Sequence, residues 1–122
     1  MAIRDYRELH AWKMARELAD RVALRTRGPR AIPSRRLAEQ MNAAAQSVCA
    51  NIAEGFGRYS PGDFIRFLRI AKGSALEVRE HLHEAEQAGW LSEDEARELH
   101  TLTRRIVGSI VPLIKYLDTL RR

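Results

Sequence analysis

N-I-A-E-G-F-G-R-Y-S-P-G-D-F-I-R-F-L-R-I-A-K-G-S-A-L-E, residues 51–77, decides the fold of this chain. The stretch reads as the end of one helix, a tight connection and most of the next helix. Gly55 stands where a helix takes a C′ residue, and Gly57 follows in the turn. Ser60-Pro61-Gly62-Asp63 reads as a helix start. A serine side chain caps free backbone N–H groups, a proline loses nothing in the first turn, and an aspartate suits the positive helix end. Beyond it, Phe64, Leu68, Ala71, Ala75, Val78, Leu82 and Ala85 alternate steps of four and three, the spacing of an apolar seam. Two periodic segments joined by a short turn predict an antiparallel helical hairpin.

The same reading extends outward in both directions. Upstream, Ser34 is a natural cap for helix 2, whose core positions are Met41, Ala45, Val48 and Ile52. Gly28, Pro29 and Pro33 break the chain before it, so helix 1 is expected from about Tyr6 to about Arg27, with Leu9, Trp12, Ala15, Ala19 and Val22 inward. Downstream, helix 3 runs to about Ala88, Gly89 stops it, and Trp90 and Leu91 fill the corner. Ser92-Glu93-Asp94-Glu95 is a capping box that opens helix 4, expected to about Leu120, with Leu99, Leu102, Ile106, Ile110, Leu113, Leu117 and Leu120 inward. Pro112 removes one backbone hydrogen bond and is expected to kink or end helix 4 near Gly108. With no alternating strand pattern and no internal repeat, the prediction is an all-α single domain, 1–122, in an antiparallel up-down-up-down four-helix arrangement.

Composition bounds the classes of function. A chain of 122 residues with 45% hydrophobic and 30% charged residues has enough apolar surface for one core and is not a disordered segment. The longest apolar run, Ile106–Ile114, is interrupted by Gly108, Ser109 and Pro112, too short a run to span a bilayer. The N-terminal M-A-I-R-D-Y-R has charges where a secretion signal needs apolar residues. A lone Cys49 has no internal disulfide partner and sits among Ala45, Val48 and Ile52, so it is read as a small core residue in a cytoplasmic protein.

The formal net charge of +5 is unevenly placed. Residues 1–36 hold ten Arg/Lys against four Asp/Glu, and residues 37–122 hold eleven against twelve. Only Lys13, Lys72 and Lys115 are lysines. Arginine suits bidentate phosphate contacts better than lysine does. Antiparallel stacking gathers Arg4, Arg7, Arg58, Arg66, Arg69, Lys72, Lys115, Arg121 and Arg122 at one end, against Asp5, Glu8, Asp63 and Asp118. The opposite end mixes Arg25, Arg27, Arg30, Arg35 and Arg36 with Glu80, Glu84, Glu86, Glu93, Asp94 and Glu95. The candidate nucleic-acid contacts are Arg4, Arg7, Arg58, Arg66, Arg69, Lys72, Arg121 and Arg122, with Tyr6, Trp12, Phe56 and Tyr59 as the few aromatic groups available for stacking.

Helix 2 lacks a charged face. Between Leu37 and Gly55 its only charges are Glu39 and Glu54, and its non-core side includes Ala43, Gln46, Ala50 and Ala53. A helix without a charged face is usually buried on more than one side, so these four residues are a candidate self-association surface.

Enzymatic readings find little purchase. Glu80-x-x-His83 has the spacing of a di-iron ligand pair, but such sites need a second copy and two further inward glutamates, which the sequence lacks. Arg4 and His10 are the nearest match to an Arg/His ribonuclease pair, at an N-terminus prone to fraying. The expectation is a non-enzymatic protein without cofactor or metal.

The motifs N-I-A-E-G-x-G-R-x-S at 51–60 (Asn51, Glu54, Gly55, Arg58, Ser60), F-x-R-F-L-x-I-A-x-G-S-A-x-E at 64–77 (Phe64, Arg66, Phe67, Gly73, Ser74, Glu77) and L-H-x-W-K-x-A at 9–15 resemble the bacterial 23S ribosomal RNA intervening-sequence proteins. That family includes the accessory variability proteins (Avd) of diversity-generating retroelements. The resemblance spans nearly the whole chain. It implies a four-helix bundle assembled as a ring-shaped homopentamer. For the retroelement branch it also implies binding of nucleic acid and of a partner reverse transcriptase. Pro112, the short basic loop G-P-R-A-I-P and a helix 1 with few large apolar residues depart from the pattern and leave the branch open. The functional expectation is a homo-oligomeric accessory scaffold that binds RNA or DNA through a basic face, with an oligomeric protein adaptor as the alternative.

Overall fold

Three serine side chains start three of the four helices. Ser34 Oγ accepts from the Leu37 N–H, Ser60 Oγ from Asp63 and Ser92 Oγ from Glu95, each at 3.1 Å. Each bond satisfies a backbone donor that the helix itself leaves free. The computed structural model describes residues 3–58 and 60–121, and among these it contains no strand. Its helices are α1 (His10–Ala23), α2 (Arg35–Phe56), α3 (Pro61–Gln87) and α4 (Glu93–Thr119), with a 3-10 turn at Tyr6–Glu8 ahead of them.

Helix 1 is shorter than its sequence predicts. Asp5 accepts from the Arg7 backbone N–H at 2.8 Å and caps the 3-10 turn, after which Leu9 is extended and separates that turn from α1. At the other end, Thr26 Oγ1 donates to the Ala23 carbonyl at 2.7 Å and the Ile32 N–H to the Arg25 carbonyl at 2.8 Å. Those carbonyls are satisfied by the loop, so the helix stops four residues before Arg27. The α3–α4 corner matches expectation. Gly89 takes a left-handed φ of 80°, its N–H bonds the Glu86 carbonyl at 3.0 Å, and the Trp90 N–H bonds the Ala85 carbonyl at 2.9 Å. This is a Schellman cap, which a side chain at position 89 would strain.

Contacts along α2 and α3 fix the direction of that pair, and single contacts tie the others. Against α2, α3 pairs Gly55 with Phe64 and Phe67, Ser47 with Ser74, and Arg36 with Glu84, so the two run antiparallel. Arg21 of α1 meets Glu98 of α4, and His100 of α4 meets Glu86 of α3. Each helix packs on its neighbour in sequence, and α1 closes on α4. One apolar cluster fills the middle, with Leu18, Leu37, Met41, Ile52, Leu68, Leu82, Leu99 and Ile106 among its largest fully buried members. The thiol of Cys49 is part of it, and burial pushes its pKa up to about 11, so it stays protonated.

Two seam assignments shift. In the first turns of α3 the core position is Ile65, 1% exposed, and Phe64 lies half-buried beside it. At the end of α4, Leu113 is half-buried and Leu120 exposed, because the core ends at Leu117. Helix α1 also buries Ala11, Met14 and Leu18, which its loose spacing hides.

Pro112 neither ends nor interrupts α4, which runs unbroken to Thr119. Both Pro112 and Gly108 are exposed and line a groove against His10 and Met14 of α1. The carbonyl that loses its helical partner therefore belongs to a residue at the water-accessible surface. Pro112→Ala restores the missing bond and is expected to raise stability by about 1–3 kcal/mol, read as a higher urea midpoint at unchanged m-value.

Candidate nucleic-acid interface

The basic end is built where α2 stops and α3 begins. Gly55 lies inside α2 and is buried, one residue before its last, so it is not the C′ residue that the sequence suggests; Gly57 takes the cap position. The physical reason is the approach of α3. A β-carbon on Gly55 would stand 2.8 Å from Phe64 Cδ1, 2.8 Å from Phe67 Cβ and 3.3 Å from the Phe64 carbonyl oxygen. Phe67 Cβ is tied to the backbone and cannot swing aside. Phe56 and Phe64 meet edge to face next to it, with ring centroids 6.2 Å apart.

A polar clamp continues the contact one level deeper. Ser47 and Ser74 hydroxyls lie 2.8 Å apart, and the Asn51 amide donates to the Ser47 carbonyl at 2.9 Å and to its hydroxyl at 3.0 Å. Asn51 and Ser74 are thus parts of the helix–helix joint. Glu54 pairs with Arg58 at 2.8 Å, and Glu77 turns to His81 of its own helix at 3.3 Å. Gly73 of the family motif is exposed, and a β-carbon there meets nothing within 4 Å; Ala75 is the buried small residue nearby.

The predicted basic residues separate into two groups. Arg7 is held by Asp5 through bonds of 3.0 and 2.7 Å, which bring the Asp5 carboxyl down to about 2. Arg58 is paired with Glu54, and Arg121 with Asp118 at 3.3 Å. Arg4, Arg66, Arg69, Lys72 and Lys115 have no carboxylate partner among the described residues. Arg121 Nε lies 3.8 Å from where a β-carbon on Gly62 would stand, so the end of α4 does reach the start of α3. Arg122 and Tyr59 fall outside the described residues.

Phe67 organises two of these cations. The Arg58 guanidinium lies 4.8 Å and that of Arg66 4.5 Å from its ring centroid. Such contacts hold a guanidinium in place while leaving its N–H groups available. Arg66 sits in the second turn of α3, where the helix dipole has largely decayed, so the dipole does not explain its position. Of the aromatic groups considered for stacking, Tyr6 and Trp12 pack edge to face at 5.3 Å and, like Phe56, are half-buried against the core.

At the opposite end most arginines are paired, Arg27 alone among the five there lacking a carboxylate partner among the described residues. Arg25 is bonded to the Glu95 carboxylate and to the carbonyls of Arg30 and Trp90, and Arg36 pairs with Glu84 at 2.8 Å. Glu80 and His83, weighed as a metal pair, both point to the exposed side; His83 approaches Glu86 and His100 instead, a grouping the sequence reading missed. The signal was His83-x-x-Glu86, but only the antiparallel register brings His100 to it. The four candidate interface residues on α2 lie at the surface of the chain: Ala43, Gln46 and Ala50 are exposed and Ala53 is half-buried.

Residues 7–111 match the profile of the 23S rRNA-intervening sequence proteins. The chain belongs to that family. Among solved structures, a protein of unknown function from the S23 ribosomal protein family of Bacteroides thetaiotaomicron shares the fold, with a TM-score of 0.78 at 20% identity over 86% of this chain and 98% of that one. No curated protein matches the chain significantly. No helix among the described residues is long and apolar enough to cross a membrane. In this family member the glycines of the long motif are expected to differ in consequence. Gly55→Ala should destabilise the fold by about 1–3 kcal/mol through overpacking, whereas Gly73→Ala, in open space within a helix, should stabilise it by about 0.5–1 kcal/mol. Chemical denaturation of both variants checks the contrast.

Proposed function

We propose that this protein is a non-enzymatic scaffold that binds RNA or DNA through phosphate contacts on the first half of α3. The observation that carries the reading is the unequal pairing of its arginines. Arg66, Arg69 and Lys72 lack carboxylate partners among the described residues, while Arg25, Arg30 and Arg36 at the other end are held by Glu95 and Glu84. Three cations along one stretch of helix, one of them steadied on Phe67, suit a strip of phosphates. Contacts of this kind carry little sequence information and depend steeply on salt.

Self-association belongs to the same proposal. The uncharged side of α2, with Ala43, Gln46 and Ala50 exposed, is the surface on which copies of the chain meet, and five is the number that the family resemblance leads one to expect. A ring repeats the basic strip around its axis and multiplies its field. A reverse transcriptase is the partner that the Avd resemblance adds, and the cytoplasm is the setting.

Fluorescence anisotropy of a structured RNA and of a DNA duplex, titrated at several salt concentrations, tests the binding. The expected result is an affinity that falls steeply with salt. Arg66→Ala with Arg69→Ala should weaken it and reduce the slope of log K against log salt by roughly two. An unchanged slope counts against this face, and no binding at low salt turns the reading to a protein adaptor. Light scattering should give an assembly of five 14.0 kDa chains, dissociated by Ala43→Arg with Ala50→Arg.

A further inference from the structure

We propose that His83, Glu86 and His100 form a binding site for a divalent transition metal of the zinc type, bridging α3 and α4. The three side chains offer ligand atoms that all lie within 4.8 Å of one another. His83 and Glu86 are one turn apart on α3, so they share a side of that helix, and His100 faces them from α4. The two imidazole rings lie 4.4 Å apart between centroids, and Glu86 Oε1 is 3.8 Å from His100 Nε2.

His100 supplies the independent observation. Its side chain is only 12% exposed, and both ring nitrogens are buried without a hydrogen-bond partner among the described residues. Burying a polar group unpaired is costly, so an idle ring nitrogen beside Glu86 and His83 calls for a ligand. The Glu86 carboxylate is too distant for a hydrogen bond but close enough to share an ion. Burial, and then the neighbouring His83, lower the His100 pKa; Arg79 and Arg104 add to this from farther away, and Glu86 opposes it.

Ligand chemistry selects the ion. Two imidazoles and one carboxylate suit Zn²⁺ and its neighbours in the first transition row, whereas Mg²⁺ and Ca²⁺ prefer oxygen donors alone. Bonds of about 2.0–2.1 Å would draw the three groups inward by roughly 1 Å, within the reach of side-chain rotation, and a water completes a tetrahedral set. Because α3 and α4 meet here just before the Gly89 turn, a bound ion acts as a clip on that corner, far from the Arg66 strip. The site stands apart from nucleic-acid binding and does not rely on it.

Thermal unfolding of the chelator-treated full-length protein, with and without ZnCl2, tests the proposal. Zinc should raise the melting temperature by several degrees, and MgCl2 should not. Because His100 is buried and its replacement could unfold the chain, His83→Gln and Glu86→Gln are the decisive variants; each should fold and lose most of the zinc shift. Co²⁺ should give the visible absorption of a tetrahedral site in the parent and lose it in His83→Gln. An equal zinc shift in both variants, or neither a shift nor a cobalt spectrum in the parent, overturns the site.

Discussion

The contact that the rest of the structure depends on is the meeting of Gly55 with Phe64 and Phe67. At this point α3 comes so near to α2 that a single methyl group has no room. The approach sets the register of the whole hairpin. From it follow the serine pair Ser47–Ser74 eight residues up α2, and the ion pair Arg36–Glu84 near its start. It also turns Phe67 into a platform for Arg58 and Arg66, so the residue that closes the core joint also carries cations to the surface. Packing and electrostatics are thus coupled through one ring.

Charge is distributed by the same antiparallel logic. Helices that alternate in direction place the loop between α1 and α2 beside the corner between α3 and α4, and there arginines and carboxylates answer one another across elements. The other end receives cations from three parts of the chain, and carboxylates reach only those nearby in sequence: Asp5 for Arg7, Glu54 for Arg58, Asp118 for Arg121. Local pairs at an exposed surface contribute little to stability. The cations left over are more informative about function than any count of bridges.

Much of this was legible in the sequence because caps and periodicity are local signals. Ser34, Ser60, Ser92 and Gly89 marked their helix ends within a residue, since each acts on backbone groups three or four positions away. The misreadings share an opposite cause. Gly55 looked like a terminator because glycine commonly is one, and only the neighbouring helix reveals it as a contact point. Phe64 was preferred to Ile65 because two adjacent apolar residues leave the seam ambiguous until α2 is in place. Pro112 was expected to break α4, and its tolerance depends on Gly108 lying at the surface. His100 joins His83 and Glu86 through a register that no spacing within one helix encodes. Of the candidate site, the residues were named in advance; which of them were already engaged by carboxylates was not.

The proline in α4 has a consequence for how the chain can vary. Beyond Pro112 the helix is tied to its first part by one backbone bond fewer, and Leu117 is the one buried side chain there among the described residues. The last two turns thus form an appendix to the core rather than a part of it. Drift in length and composition is cheapest in this distal segment, and its neighbour across the bundle is the start of α3. A lineage can therefore remodel the surroundings of the basic strip without touching the residues that hold the four helices together.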